Sequence, residues 1–347
     1  MQVAKLFFLL SGEHQTLPVS EAQAILEAEG YDYRVLENLT QVLRLESEIN
    51  SVESIEFRSA LTRICCQEIF HCGASLPEIL ANLLSASLEE FIEEKESFAV
   101  RVRRVKGVAP ELRVVELERK LGEQILETVK TTKVNLSNPQ KTFFGVLTDN
   151  RFIFGLKIAE IIPKPFSERR PRRRPVFHPT AMPAKLARAM VNLAQPRKGD
   201  LVLDPFCGTG GILIEAGLMG CRVLGFDAKP HMLRGGLKNI IHYGIKPEGV
   251  AIADARYPPV TKVDCIATDP PYGRSASTLG TSTRLIVEDF LYAVGDTVPR
   301  GRRICMAAPK TVKIEDAGEE TGFKHIESHF VYVHRSLTRQ IVVFEKS

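Results

Sequence analysis

No apolar run in this 347-residue chain approaches the ~18 residues of a membrane-spanning helix. The short "LFFLL" at 6–10 is also too brief for a signal segment and has no cleavage site after it, so a cytoplasmic location is expected. Paired cysteines are missing as well. The seven cysteines are an odd number, form no C-x-x-C and have no His/Cys ligand spacing, which argues against a disulfide framework and against a structural zinc site, so no metal is expected. The adjoining Cys65 and Cys66 read as packing residues. There is no internal repeat and no dinucleotide-type G-x-G-x-x-G turn. What remains, with 44% hydrophobic residues, is a globular chain long enough for two or three domains of roughly 100–200 residues each.

Charge is unevenly spread. Residues 1–100 carry 6 Lys/Arg against 17 Asp/Glu, net −11, whereas residues 101–175 carry 18 against 8, net +10. A basic block of this kind reads as a phosphate-facing surface. Its candidate contacts are Arg101, Arg103, Arg104 and Lys106, followed by Arg169, Arg170, Arg172, Arg173 and Arg174 in "KPFSERRPRRRP", Lys164 to Pro175. The prolines of that run exclude a helix interior and suggest an extended basic linker.

Up to about residue 160, short strand-like runs ("VAKLFFLLSG", "QVLRLES", "SFAVRVRRV", "FIFGLKIAE") alternate with amphipathic stretches, an α+β pattern. In one of them, "SEAQAILEAEG", Ser20 is expected to cap a helix and Gly30 to end it. From residue 178 the pattern becomes regular strand-helix alternation, which predicts an α/β domain with a parallel sheet covered on both faces. Strands are expected at "DLVLDP" (200–205), "CRVLGFD" (221–227), "GVAIAD" (249–254) and "VDCIATDP" (263–270), with a terminal antiparallel hairpin from "FKHIESHFVYVHR" and "SLTRQIVVFEKS".

Acids close these strands. Asp204 and Pro205 lead into the Gly-rich turn "DPFCGTGGI", whose Gly208 and Gly210 let a ligand approach the backbone at the carboxyl end of a strand. Asp227, 23 residues further on, is placed to accept ribose hydroxyls, and Asp254, before Ala255, to accept an adenine amino group. A pyrophosphate would be repelled by Asp204, whereas S-adenosylmethionine offers a cationic methionine end as well as an adenosine. His178 and Thr180, in "VFHPTAMPAKLARAMVNLA", are candidates to cover that methionine end. Cys207 has no general base beside it and is not expected to act as a nucleophile.

The fourth strand runs into "DPPYG". Proline fixes its own φ and extends the residue before it, so Asp269, Pro270, Pro271 and Tyr272 form a rigid, acceptor-rich ledge. Together the Asp269 carboxylate and the Pro270 carbonyl can orient a planar exocyclic amine for methyl transfer, while Tyr272 stacks on the base that carries it.

The "DPFCGTGG" turn, the "TDPPYG" ledge and the "RPVFHP" lead-in together resemble the archaeal tRNA guanine-N2 methyltransferases that modify position 10. The resemblance implies a ferredoxin-like region at 1–50, a THUMP RNA-binding domain at 51–160 around the basic stretch and "GVLTDNRFIFGL", a basic linker at 161–177, and a Rossmann-like class I methyltransferase domain at 178–347. It further implies that Asp204, Gly208 and Gly210 hold the methionine end of the cofactor, that Asp227 and Asp254 hold the ribose and adenine, and that Asp269 and Tyr272 are the catalytic pair. The implied partners are tRNA and, in some lineages, a small zinc-binding activator protein. Two other readings stand beside this one: an adenine-N6 methyltransferase acting on RNA or DNA, and an RNA-binding module that has lost catalysis.

Overall fold

The computed structural model describes residues 2–272, 283–335 and 337–347. They form two compact units, one of residues 2–15, 31–56 and 62–161, the other of 16–30, 57–61 and the described residues from 162 to 347. Helices in chain order are α1 (Leu17–Glu29), α2 (Ser51–Arg58), α3 (Leu76–Leu84), α4 (Val114–Thr128), α5 (Lys164–Glu168), α6 (Ala184–Leu193), α7 (Gly211–Leu218), α8 (Pro230–His242), α9 (Thr283–Val294) and α10 (Ile314–Glu320).

The first unit is built on one mixed sheet of strands β1 (Val3–Leu10), β2 (Tyr33–Leu39), β3 (Val42–Glu48), β4 (Thr62–Gly73), β5 (Ser97–Arg104), β6 (Lys133–Val134), β7 (Lys141–Thr148) and β8 (Arg151–Glu160), in the order β2-β3-β1-β4-β8-β7-β5-β6. Strands β7 and β8 join through Asp149 and Asn150, both at positive φ (44° and 58°). Two positive-φ residues make the tight hairpin turn whose twist matches the strands, and Asp and Asn tolerate it best after glycine. The core beneath is phenylalanine-rich: Phe143 and Phe154 stack with ring centroids 5.8 Å apart, and Phe98 meets Phe143 edge-on at 5.9 Å.

No boundary falls at residue 50, because β1 pairs with both β3 and β4. Residues 16–30, which hold α1, belong to the second unit rather than to an N-terminal region of their own. Helix α1 also starts earlier than expected: Pro18 sits in its first turn, where a missing N–H costs nothing, so Ser20 lies inside the helix and caps nothing. Gly30 does end it, left-handed at φ 78° with its N–H on the last-turn carbonyls.

The second unit carries a sheet of β9 (Leu201–Asp204), β10 (Arg222–Asp227), β11 (Gly249–Ile252), β12 (Cys265–Thr268), β13 (Arg303–Pro309), β14 (Phe323–His334) and β15 (Leu337–Lys346), ordered β11-β10-β9-β12-β13-β15-β14. The first five strands are parallel, and β15 runs antiparallel between β13 and β14. Side chains alternate across it. Val202, Cys265, Ala267 and Cys305 pack with α6 and α7, whereas Leu203, Ile266, Ile304 and Met306 pack with α9 and α10. This double burial explains why the strands read as continuous apolar runs. Strand order reverses between β9 and β12, so the carboxyl ends of these neighbours open a crevice, the usual ligand position in such sheets.

Candidate active site

Four acids stand at that carboxyl edge: Asp204 closes β9, Asp227 closes β10, Asp254 follows β11 by two residues and Asp269 follows β12 by one. All four line one cavity of about 780 Å³, together with Pro205, Gly208, Ala255, Pro270, Pro271 and Tyr272. Its volume falls in the range of ordinary small-molecule sites, ~300–1,000 Å³.

The Gly-rich turn is shaped by its neighbours. Gly208 and Gly210 have φ of 50° and 79°, and Gly210 caps α7. A Cβ at Gly210 would come within 3.0 Å of Ile240, and one at Gly236 on α8 within 2.7 Å of the Gly208 carbonyl, so the turn and α8 meet backbone to backbone. Asp227 braces the turn by accepting from the Gly208 N–H (2.9 Å) and the Lys229 N–H (2.8 Å).

Asp204 is buried and accepts from the Thr268 hydroxyl (2.7 Å) and the Phe206 N–H (3.2 Å). Burial pushes its carboxyl up to about 7, helped by the charges of Asp269 and Asp227 and opposed by those two hydrogen bonds. Asp254 has a partner that the sequence did not suggest. Arg256 donates to it through Nη2 at 2.6 Å and through its own backbone N–H at 3.0 Å, and this bonding holds the Asp254 carboxyl below the usual range.

At the ledge, the Tyr272 hydroxyl donates to Asp269 Oδ1, while Arg339 reaches Asp269 Oδ2 with Nη2 at 3.2 Å and the Tyr272 oxygen with Nε at 2.9 Å. Burial raises the Asp269 carboxyl, against the lowering pull of Arg339 and of the Tyr272 hydrogen bond. The Tyr272 phenol is likewise pushed up, by burial and then by the Asp269 charge. Arg339, Arg256 and Thr268 were not singled out in the sequence. Gly273, the last residue of the quoted motif, lies outside the described residues.

His178 and Thr180 both line the cavity and pair with each other, Nδ1 to Oγ1 at 2.8 Å. Cys207 is buried at the turn with its thiol pushed up by burial. Among the described residues no group of three or more His, Cys, Asp or Glu could hold a metal, and no helix is long and apolar enough to cross a membrane.

The basic residues divide. Arg103, Lys106, Arg170, Arg172 and Arg173 are exposed. Arg101 donates to the Leu136 carbonyl at 2.8 Å and Arg104 to the Leu112 carbonyl, so both guanidinium groups are engaged locally. Two members of the presumed linker run inward. Arg169 makes a two-point pair with Glu215 (2.8 and 3.0 Å), and Arg174, 4% exposed, donates to the Arg169 carbonyl. The run is therefore not an extended tether: it contains α5 and a 3-10 turn at Pro171–Arg173, and its Arg169 and Arg174 are not available to phosphate.

A doubly wound sheet with one antiparallel strand inserted before its last, and with acids along its switch-point crevice, defines a Rossmann-like class I methyltransferase domain. Residues 171–340 match the RMKL-like, methyltransferase domain family, and residues 73–157 match the THUMP domain. The chain is 38% identical to the tRNA (guanine(10)-N2)-dimethyltransferase of Methanothermobacter thermautotrophicus, covering 99% of both chains. With its namesake from Methanocaldococcus jannaschii it shares 32% identity over 98% of this chain and 99% of the relative. The chain belongs to the family of archaeal tRNA (guanine(10)-N2)-dimethyltransferases. In fold it is similar to the crystal structure of TrmN from Thermus thermophilus, with TM-score 0.54, 21% identity, and coverage of 99% of this chain and 100% of that one.

Proposed function

We infer that this protein is an S-adenosylmethionine-dependent tRNA guanine-N2 methyltransferase acting on guanosine 10. The observation that carries the reading is the sharing of one cavity by the Asp269-Pro270-Pro271-Tyr272 ledge and the acids Asp204 and Asp227.

The donor set suits that cofactor. A buried carboxyl with its pKa raised, as at Asp204, gains from a cationic partner, and the side-chain-free Gly208 leaves backbone open to a ligand. In this reading Asp204, Pro205 and Gly208 hold the methionine end with His178 and Thr180 over it, Asp227 holds the ribose, and Asp254 and Ala255 hold the adenine; Gly210, expected beside them, packs on α8 away from the cavity lining and serves to cap α7. When bound, the cofactor supplies a methyl group made electrophilic by its sulfonium.

The chain's own residues prepare the acceptor. The amine of guanine is planar, with its lone pair delocalised into the ring. Accepting its two hydrogens at the Asp269 carboxylate and the Pro270 carbonyl orients the nitrogen and favours the positive, tetrahedral centre that develops there. Asp269 is then the nearest group to receive the proton released. The guanine reaches the ledge only when flipped from its stack, at a cost of a few kcal/mol that stacking on Tyr272 (~1–3 kcal/mol) largely offsets.

The accompanying domain reading assigns RNA holding to the first unit, whose ferredoxin-like 1–50 and THUMP 51–160 portions share one sheet with no boundary between them, and to the exposed cations of 161–177 ahead of the methyltransferase domain at 178–347. Arg103, Lys106, Arg170, Arg172 and Arg173 are the phosphate contacts in this reading.

The test is incubation of the purified chain alone with unmodified tRNA transcript and methyl-labelled cofactor, followed by nucleoside identification. Label in N2-methyl- or N2,N2-dimethylguanosine is expected, and without added protein it removes the activator from the requirement. Label in N6-methyladenosine would overturn the acceptor assignment. Asp269→Ala is expected to lose at least about a hundredfold in turnover while keeping cofactor affinity, because it removes an interaction made to the reacting amine. Near-wild-type turnover would remove Asp269 from the mechanism.

A further inference from the structure

Arg339 lies on β15, 70 residues from Asp269, and reaches the ledge only because that strand inserts beside β13. Its side chain is 9% exposed. Its guanidinium bridges two different oxygens, Asp269 Oδ2 (3.2 Å) and Tyr272 Oη (2.9 Å), and lies 5.5 Å from the centre of the Tyr272 ring. A flat fork that binds two acceptors and faces an aromatic ring is a geometry that Arg provides and Lys does not.

We propose that Arg339 is the positioning residue of the ledge, holding Asp269 by Oδ2 and Tyr272 by its hydroxyl so that Oδ1 of the carboxylate is presented to the acceptor amine. This rests on the functional reading above and deepens it. The Tyr272 hydroxyl donates to Oδ1, the oxygen an incoming amine needs. The amine therefore replaces that hydroxyl, and Arg339 keeps both partners fixed as it does: Oδ2 stays bonded, and the phenol oxygen keeps Nε as its donor. With no cation the carboxylate would be buried and free to turn away from the amine.

Among the described residues, the groups that act on Asp269 are Arg339 from β15, Tyr272 from the same loop and Asp204 from the end of β9, and of these Arg339 is the cation. It opposes the upward push of burial, so its loss moves Asp269 protonation to higher pH, and the acid limb of the rate profile moves with it.

The test compares Arg339→Gln and Arg339→Lys with wild type in three measurements: methyl transfer to tRNA across pH 5–9, cofactor affinity by calorimetry, and titration of the Asp269 carboxyl by carbon NMR of aspartate-labelled protein. Arg339→Gln is expected to lower kcat about a hundredfold, with KM for tRNA and cofactor affinity changed by less than about threefold, as misorientation of a reacting group does. Its Asp269 titration and acid limb both move to higher pH. Arg339→Lys restores the limb but only part of kcat. Loss of activity that tracks cofactor affinity or melting temperature, or an Asp269 titration unchanged in Arg339→Gln, overturns the proposal. The NMR arm reads the grip on Asp269 whatever base is methylated, so a wild-type enzyme that labels adenine refutes the acceptor assignment without touching this one.

Discussion

Asp204 is the residue whose chemistry depends most on where the fold puts it. Its carboxyl is pushed from 3.8 to about 7 chiefly by burial. A raised native pKa means that the folded state binds this proton more tightly than the unfolded chain. Its contribution to stability is therefore fully present below pH ~4 and lost as pH rises through about 7. A cationic ligand end beside it reverses the preference, so binding displaces the proton. Calorimetry at pH 6 in two buffers of different ionisation heat is expected to find close to one proton released on S-adenosylmethionine binding, and almost none at pH 8.5. The same heat in both buffers at pH 6 would place the ammonium elsewhere. Asp204→Asn is expected to abolish the buffer dependence and weaken binding at least tenfold, as loss of a buried charge-assisted pair does. At this scale the sequence was legible where an acid ends an apolar run, as at Asp204, Asp227, Asp254 and Asp269. It was silent about Arg256 and Arg339. Nothing local marks Arg339, since its partners arrive through the pairing of β15 with β13.

Among the elements, α6 and α7 are joined by a buried ionic knot. Glu215 of α7 is fully buried, takes two bonds from Arg169 and one from Arg188 of α6 at 3.0 Å, and has the Arg174 guanidinium nearby. Burial lowers the pKa of Arg188 and of Arg174, and the Glu215 charge opposes it in both. Removing this acid would leave the buried Arg174 and Arg188 and the partly buried Arg169 guanidinium groups without their main counter-charge. Glu215→Gln is accordingly expected to cost about 3–5 kcal/mol in denaturant unfolding, whereas Arg170→Gln on the exposed side should cost less than about 0.5 kcal/mol. A Glu215→Gln loss below about 1 kcal/mol would show that the knot is not what fixes the chain before α6. The elements themselves were largely readable. Strands β9 to β12 and the terminal hairpin follow from apolar runs between turn residues, but β13 was not singled out. The run from Lys164 to Pro175 was misread, because proline content and charge say that a segment cannot be a long helix and not that it stays clear of the core. Its inward arginines depend on Glu215, one acid in the middle of an otherwise apolar helix.

For the whole molecule, the charge asymmetry of the sequence overstates the cation available to RNA. Of the nine basic residues proposed for phosphate, Arg101, Arg104, Arg169 and Arg174 bond within the chain, which leaves Arg103, Lys106, Arg170, Arg172 and Arg173 exposed. Each phosphate neutralised contributes roughly 0.7–0.9 to the slope of log affinity against log salt. Replacing Arg170, Arg172 and Arg173 together by Gln is therefore expected to reduce the slope of tRNA binding by about 2–3 and to weaken binding for all tRNAs alike, since phosphate contacts position without reading sequence. The stability of the chain and its cofactor affinity should hardly change. Arg174→Gln should behave in the opposite way, lowering the melting temperature and leaving the salt slope of the remaining folded protein intact. If the triple variant keeps the wild-type slope, these three cations are a solvated face. The RNA-holding charge would then lie with Arg103 and Lys106 of the THUMP-matching region, whose paired replacement is read by the same titration.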